Sequence, residues 1–265
     1  MARRSLSLMA GSVLVAGLMC VAAPAMAASA GNAAHGTGKG AGASTLPMIR
    51  ATSPDLSRQS VVSNNWSGYA ANGSTYTSVS AYWHEPTGHC TSGTQYAAFW
   101  VGLDGYDSST VEQTGTDSDC AGSSPRYYGW YEMYPANPVN FSNPVSPGDN
   151  MYASVTHGSG SSYTLVLKDE TKGWSKTVHS SLAGAANSSA EVIVEAPCCT
   201  ASGGSLPLAD FGSISFTGAH VDGSPIGDTD PTQIIMADTA GHQQDSVTSL
   251  NPAGKGFSVS WLRRT

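Results

Sequence analysis

Arg126-Tyr127-Tyr128-Gly129-Trp130-Tyr131-Glu132-Met133-Tyr134 reads as one β-strand with two unlike faces. Successive side chains of an extended chain point to opposite sides. Trp130, Glu132 and Tyr134 therefore share one face, and Tyr131 and Met133 share the other. Ser189-Ala190-Glu191-Val192-Ile193-Val194-Glu195 divides the same way, with Glu191, Ile193 and Glu195 opposite Val192 and Val194. In Gln95–Asp104, Trp100, Gly102 and Asp104 are in phase. One side of these strands is mostly apolar core. The other mixes indoles with carboxylates, as a binding groove across a sheet does, and a merely solvated face rarely needs so many tryptophans and tyrosines.

Working outward, the same texture runs from Val61 to the C-terminus. Short runs rich in Val, Ile, Thr, Tyr, Phe and Trp are separated by Gly, Pro, Asn, Asp and Ser, the pattern of strands and turns. Further strands are expected over 65–70, 77–84, 95–102, 110–115, 150–157, 162–168, 174–179, 212–218, 232–237, 246–250 and 256–262. No stretch beyond the N-terminal apolar run has a helical stripe. An all-β sandwich or barrel follows, and 61–265 reads as one domain, an ordinary size for such a fold.

The N-terminus is different. Arg3 and Arg4 precede an apolar run from Leu6 to Val21, followed by Ala25-Met26-Ala27 and Ala28-Ser29-Ala30. This is the layout of a cleaved secretory signal peptide over residues 1–30. Residues 31–60 are rich in Gly, Ala, Ser and Thr without periodicity, which suits a disordered leader or propeptide. The expected location is extracellular, with no membrane partner once the signal is removed.

The chain carries 12 Lys and Arg against 19 Asp and Glu, a net charge of -7. An acidic surface lacks the basic footprint that nucleic acid requires. Few cations also mean few salt bridges for acid to break, so the composition permits work at low pH. Cys20 lies in the signal, leaving Cys90, Cys120, Cys198 and Cys199, which allow three pairings. A Cys90–Cys120 bridge is the expected one, in keeping with export; the tandem pair Cys198-Cys199 is open. The cysteine spacing does not resemble a zinc site.

Several catalytic signatures are absent. There is no H-E-x-x-H, no G-x-S-x-G, no phosphate-binding Gly-rich loop with a following Lys, and no Asp-Thr/Ser-Gly. What remains is carboxylates and amides on aromatic strands: Glu112-Gln113, Glu132 and Glu195. A glutamate beside aromatic bulk has its proton held more tightly by desolvation, which fits it for acid–base work. For Glu112 and Glu191, an ordinary exposed strand carboxylate is the expected reading.

Five stretches in order resemble the glutamic endopeptidases, the eqolisins: Ser63-Asn64-Asn65-Trp66-Ser67-Gly68, Phe99-Trp100-Val101-Gly102-Leu103-Asp104-Gly105, Glu112-Gln113-Thr114-Gly115, Trp130-Tyr131-Glu132-Met133-Tyr134-Pro135 and Ala190-Glu191-Val192-Ile193-Val194-Glu195. The resemblance implies an antiparallel β-sandwich of two large sheets, of the concanavalin A-like lectin or jelly-roll type. It implies a secreted, acid-acting endopeptidase with Gln113 and Glu195 as the catalytic pair. Trp100, Asp104, Trp130 and Glu132 would line or support the groove. Glu195 would act as general base and then acid on a water, and the Gln113 amide would position that water and stabilise the oxyanion. Protein or peptide substrates, no cofactor, no metal and a monomer are expected. The sequence departs from the family pattern at Tyr128, where an aspartate is usual, which alters the network around the pair.

Two other readings fit the residues without the resemblance. A glycoside hydrolase would use Glu132 and Glu195 as its two carboxylates, but then Gln113 has no role. A carbohydrate-binding, catalytically inactive lectin-like sandwich would use only the aromatic face.

Overall fold

The computed structural model describes residues 43, 45–51, 60–197 and 205–264. The expected signal peptide, most of the leader and Cys198-Cys199 lie outside the described residues. Those described belong to one compact unit, Lys39–Thr265.

Eighteen strands form among them: β1 (Arg50–Ala51), β2 (Ser60–Ser63), β3 (Trp66–Asn72), β4 (Ser78–His84), β5 (Thr94–Gln95), β6 (Ala98–Leu103), β7 (Val111–Ala121), β8 (Ser124–Tyr134), β9 (Val139–Pro144), β10 (Asn150–His157), β11 (Ser162–Asp169), β12 (Trp174–Ser181), β13 (Ser189–Glu195), β14 (Ser213–Val221), β15 (Ser224–Pro225), β16 (Thr232–Met236), β17 (Asp245–Val247) and β18 (Gly256–Trp261). One short 3-10 turn, Ile226–Thr229, is the only helical element among the described residues.

The strands make two sheets. The ten-stranded sheet runs β1-β2-β16-β3-β13-β6-β7-β8-β9, with β5 on β7; the eight-stranded sheet runs β12-β11-β10-β4-β14-β18-β17, with β15 on β14. All pairings between these strands are antiparallel except β2 with β16. This is the two-sheet antiparallel sandwich that the resemblance implies.

The main core lies between the sheets. Phe99, Val101 and Leu103 of β6, with Val192 and Val194 of β13, meet Trp83 of β4, Leu165 and Leu167 of β11 and Phe216 of β14, all buried. Each such side chain contributes about 1.5–3 kcal/mol by leaving water. Trp83 also donates its Nε1–H to Thr116 Oγ1 across the sheets at 3.1 Å, so its polar edge is satisfied. A Cys90–Cys120 disulfide, with Cα atoms 5.4 Å apart, ties the loop before β5 to the end of β7.

The outer faces of the two sheets differ. On the eight-stranded sheet, β12 alternates half-buried and exposed residues, an ordinary solvated edge. On the ten-stranded sheet, the outer face holds a second buried cluster of Trp66, Trp100, Tyr106, Trp130, Ile193 and Ile234, with Met48 from the segment before β1. The alternation of β6, β8 and β13 thus separates the faces as the sequence implies.

The largest difference from the sequence reading is in β7, which continues through Asp117-Ser118-Asp119-Cys120 instead of ending at 115. That run has turn composition, but it pairs along its length with β8. Its polar side chains are buried and hydrogen-bonded, so tertiary partners override local preference. The short strands β1, β2, β5, β9 and β15 were also not expected. They are edge or bridging pieces, and β9 (Val-Asn-Phe-Ser-Asn-Pro) carries neither alternation nor a buried face of its own.

Candidate active site

Three cross-strand rows on the outer face of the ten-stranded sheet build the site. Glu191 of β13, Gly102 of β6, Gln113 of β7 and Glu132 of β8 lie in register. The next row is Ile193, Trp100, Gly115 and Trp130. The third is Glu195, Ala98, Asp117 and Tyr128. Gln113 and Glu195 are therefore two strands and two rows apart, with the tryptophan row between them.

Two glycines keep that middle ground flat. A Cβ on Gly102 would lie 2.8 Å from Trp100 Cζ3, and one on Gly115 would lie 2.1 Å from the Phe99 carbonyl oxygen and 2.6 Å from Trp100 Cβ. Their absence lets the Trp100 ring lie across the sheet. Trp66 meets it edge-on at 4.9 Å between centroids.

Glu195 is fully buried and well supplied with donors. Trp100 Nε1–H donates to Oε2 at 3.0 Å. Asn65 Nδ2 donates to Oε1 at 3.3 Å, and the Leu46 backbone N–H donates to the same oxygen at 3.0 Å. Burial nevertheless dominates and raises its pKa well above the usual carboxyl range; the Leu46 N–H opposes the rise, the nearby Glu132 charge adds to it, and Asn65 and Trp100 oppose it.

Gln113 is also fully buried. Its Nε2 donates to Glu132 Oε2 at 3.0 Å, and also to the hydroxyl of Thr45, which in turn donates to Glu132 Oε2. Glu132 thus fixes the direction of the Gln113 amide. The residues that join Gln113 to Glu195 are consecutive: Thr45 on one side and Leu46 on the other.

Trp130 and Asp104 stand further back. Trp130 donates its Nε1–H to Asp117 Oδ1 at 2.5 Å. Asp104 sits at φ 68° just past β6 and accepts from the backbone N–H groups of Ala186, Asn187 and Ser188 at 2.7–2.9 Å. Its carboxylate anchors that loop and has no hydrogen bond to Gln113 or Glu195 among these contacts. It supports the strand that carries Trp100 and does not line the groove.

At the departure from the family pattern, Tyr128 donates to Asp117 Oδ2 at 2.9 Å and also contacts Asp119 Oδ2. Burial first, then their mutual repulsion, raises the Asp117 pKa well above the normal range, and burial raises Asp119 to about 7. A single phenol bridges two buried carboxyls in the row of Glu195.

Glu112 and Glu191 are buried, against the expectation of exposed carboxylates. Glu112 faces the inter-sheet core beside Tyr163, and burial raises its pKa to about 8. The register that puts Gln113 on the outer face turns Glu112 inward.

Four contacting residues were not read from the sequence. Asn65 stands within the first of the five quoted stretches, immediately before Trp66, but nothing local marks it as a partner of Glu195. Asp117 sits in a run of turn-like composition. Thr45 and Leu46 lie in the segment read as a leader.

The sequence profile of the Peptidase A4 family matches residues 64–261. No curated protein matches. Among solved structures, the chain is similar to scytalido-glutamic peptidase with a transition-state analogue inhibitor, at 25% identity, TM-score 0.64, covering 75% of this chain and 98% of that one. It is similar to SCP-B, an eqolisin in complex with the tripeptide Ala-Ile-His, at 25% identity, TM-score 0.62 and the same coverage. Aspergilloglutamic peptidase from Aspergillus niger gives 28% identity and a TM-score of 0.56 over 63% of this chain and 99% of that one. The chain belongs to the Peptidase A4 family and is a glutamic-type endopeptidase of the eqolisin group.

Proposed function

We propose that this peptidase is exported, works in acid, and hydrolyses peptide bonds with Glu195 and Gln113. The observation that carries the assignment is the placement of one peptide link between the two side chains. The Leu46 N–H donates to Glu195 Oε1 at 3.0 Å, while the adjoining Thr45 hydroxyl accepts from Gln113 Nε2. A group that meets a peptide nitrogen is placed to give it a proton, and an amide donor one residue away is placed to hold a water or an oxyanion.

The reaction follows from those positions. The ionised fraction of Glu195, which the Asn65 and Trp100 donors favour against burial, takes a proton from a water held by Gln113. The hydroxide oxygen bonds to the scissile carbonyl carbon, and the carbonyl oxygen takes up the charge. Gln113 donates to that oxygen; Glu132 keeps the amide turned toward it. Glu195 then passes its proton to the nitrogen, the C–N bond breaks, and a carboxylate and an amine leave. Trp100 fixes the carboxylate it donates to and, with Trp66 and Trp130, keeps the site dry.

Acid operation is supported by the network under the site. Burial raises Glu85 and Glu112 to about 8 and Asp119 and Asp245 to about 7, so these groups are neutral in acid. Export is supported by the Cys90–Cys120 bridge together with the N-terminal Arg–apolar–Ala pattern. Substrates are peptides or unfolded proteins, and the carbohydrate readings lack a use for Gln113.

Digestion of denatured casein at acidic pH, beside a polysaccharide panel, tests this. Casein cleavage that survives pepstatin, chelators, and serine and thiol reagents is expected. Hydrolysis of a polysaccharide in its place contradicts it.

A further inference from the structure

We infer that the outer face of the eight-stranded sheet is a second binding site, across the core from the catalytic pair, and that it takes an acidic polysaccharide, a chain of sugar rings bearing carboxylates.

The charge of that face runs against the rest of the chain. The sequence holds 19 acidic residues against 12 basic ones. Along β4, β10, β11, β12, β14 and β18 the core claims every second residue, such as Val79, Trp83, Val155, Leu165 and Phe216. The alternate positions point to solvent, and none of them is Asp or Glu. They are mostly Ser and Thr. Lys168 is the one fixed charge among them, and His84, His179 and His220 add three imidazoles. Two acids stand at the ends of the face and are already engaged. Glu170, just past β11, accepts from Asn150 Nδ2 at 2.7 Å. Asp222, just past β14, accepts from the Thr77 and Ser78 N–H groups at 2.8 Å each.

The middle of the face is built from two cross-strand rows. Lys168, Tyr152, Tyr82 and Thr217 lie in register on β11, β10, β4 and β14. The two tyrosine rings stand 4.7 Å apart between centroids, and Lys168 Nζ lies 5.1 Å from the centre of the Tyr152 ring. A Cβ on Gly218 would lie 3.1 Å from Tyr82 Cδ2, so the missing side chain there gives the ring room to lean over β14. In the next row Ser154, Ser80 and His220 line up. With Tyr152, Ser78 and Thr156 they line a depression of about 180 Å³. His220 Nδ1 is 2.7 Å from the Gly218 carbonyl oxygen. A carbonyl only accepts, so Nδ1 carries the proton and Nε2 is left for a ligand.

These groups match a sugar acid part by part. A tyrosine ring offers an apolar body for the C–H face of a sugar and a hydroxyl at its tip. The serine hydroxyls and His220 Nε2 both donate and accept, as sugar hydroxyls require. Lys168, beside the same rings, meets the carboxylate, and a face without carboxylates of its own does not repel it. A nucleic acid needs a denser basic footprint than one lysine and three imidazoles. A protein partner needs an apolar centre, and alternating hydroxyls do not supply one. Bound by this face, the peptidase keeps its groove, on the other sheet, open to substrate.

The test is co-sedimentation of the full chain with insoluble polygalacturonate at about pH 5, with cellulose as the uncharged counterpart. The chain is expected to pellet with polygalacturonate, more weakly as salt is added. Tyr82→Ala with Tyr152→Ala, and separately Lys168→Gln with His220→Gln, should each weaken binding about tenfold, the scale of one or two lost contacts. Circular dichroism should be unchanged in both. Tyr82→Phe with Tyr152→Phe keeps the rings and should keep most of the binding, so a misfolded alanine variant does not decide the matter. No retention on polygalacturonate overturns the inference, as does retention that both double variants leave intact. Equal retention on cellulose overturns the choice of an acidic ligand. A dimer of the free chain that the same variants dissolve overturns it in favour of a second copy on this face.

Discussion

Trp100 donates its indole Nε1–H to Glu195 Oε2 at 3.0 Å from the neighbouring strand, with both side chains fully buried. This bond favours the ionised carboxylate in a place where burial favours the neutral acid. Trp100→Phe keeps the bulk and removes the donor. It is expected to lower kcat about tenfold, on the scale of a charge-assisted bond of about 1.5 kcal/mol. It should also move the acidic limb of the kcat–pH profile upward, because Glu195 then ionises less readily. A purely structural role for Trp100 would leave that limb in place.

Tyr128 bridges Asp117 and Asp119 in the row of Glu195. Tyr128→Phe leaves two buried carboxyls with one donor fewer. The expected loss of stability is about 1–3 kcal/mol. It should be larger at neutral pH than in acid, since protonated carboxyls do not repel and one can donate to the other. Denaturant melts of both proteins at two pH values read this, and an equal loss at both contradicts it.

Much of this was legible in the sequence, and the limits have physical causes. The alternation in β6, β8 and β13 separated core from groove because one face of each is mostly apolar or aromatic. Gln113 and Glu195 emerged only through the resemblance, since no periodicity distinguishes a reacting amide from an ordinary one. Asp117 and Asp119 were hidden because a buried polar network has the composition of a turn. Asp104 kept the right phase but leaves the strand at positive φ, which turns its carboxylate to a loop. Thr45 and Leu46 gave no signal, because what holds them is distant in sequence.

The buried carboxyls make stability depend on pH in a definite direction. Glu85 and Glu112 are raised from 4.5 to about 8, and Asp119 and Asp245 from 3.8 to about 7. Between those limits the folded chain holds protons that the unfolded chain has released. Stability is therefore full below about pH 4 and falls as pH rises toward 8. Each such group removes about 1.4 kcal/mol per pH unit over its own range, and each kcal/mol shifts Tm by about 2–4 °C at this size. Calorimetry from pH 3 to 8 should give a falling Tm. A Tm that rises across the range contradicts the account.

The Cys90–Cys120 bridge spans a sequence separation of 30 residues. Cys90→Ala with Cys120→Ala should cost about 2–4 kcal/mol, chiefly by freeing the unfolded chain. Chemical denaturation of the double variant measures it, and unchanged stability contradicts it.

The central claim is that Glu195 and Gln113 do the chemistry. Cleavage of a fluorogenic peptide in acid by Glu195→Gln and Gln113→Ala, each compared with wild type after circular dichroism confirms the fold, tests it most directly. Glu195→Gln keeps the shape and removes the proton carrier, so activity should fall to background, by at least about a thousandfold. Gln113→Ala removes the oxyanion donor and should cost about 10²–10³ in kcat. A folded Glu195→Gln protein that cleaves at the wild-type rate contradicts the account.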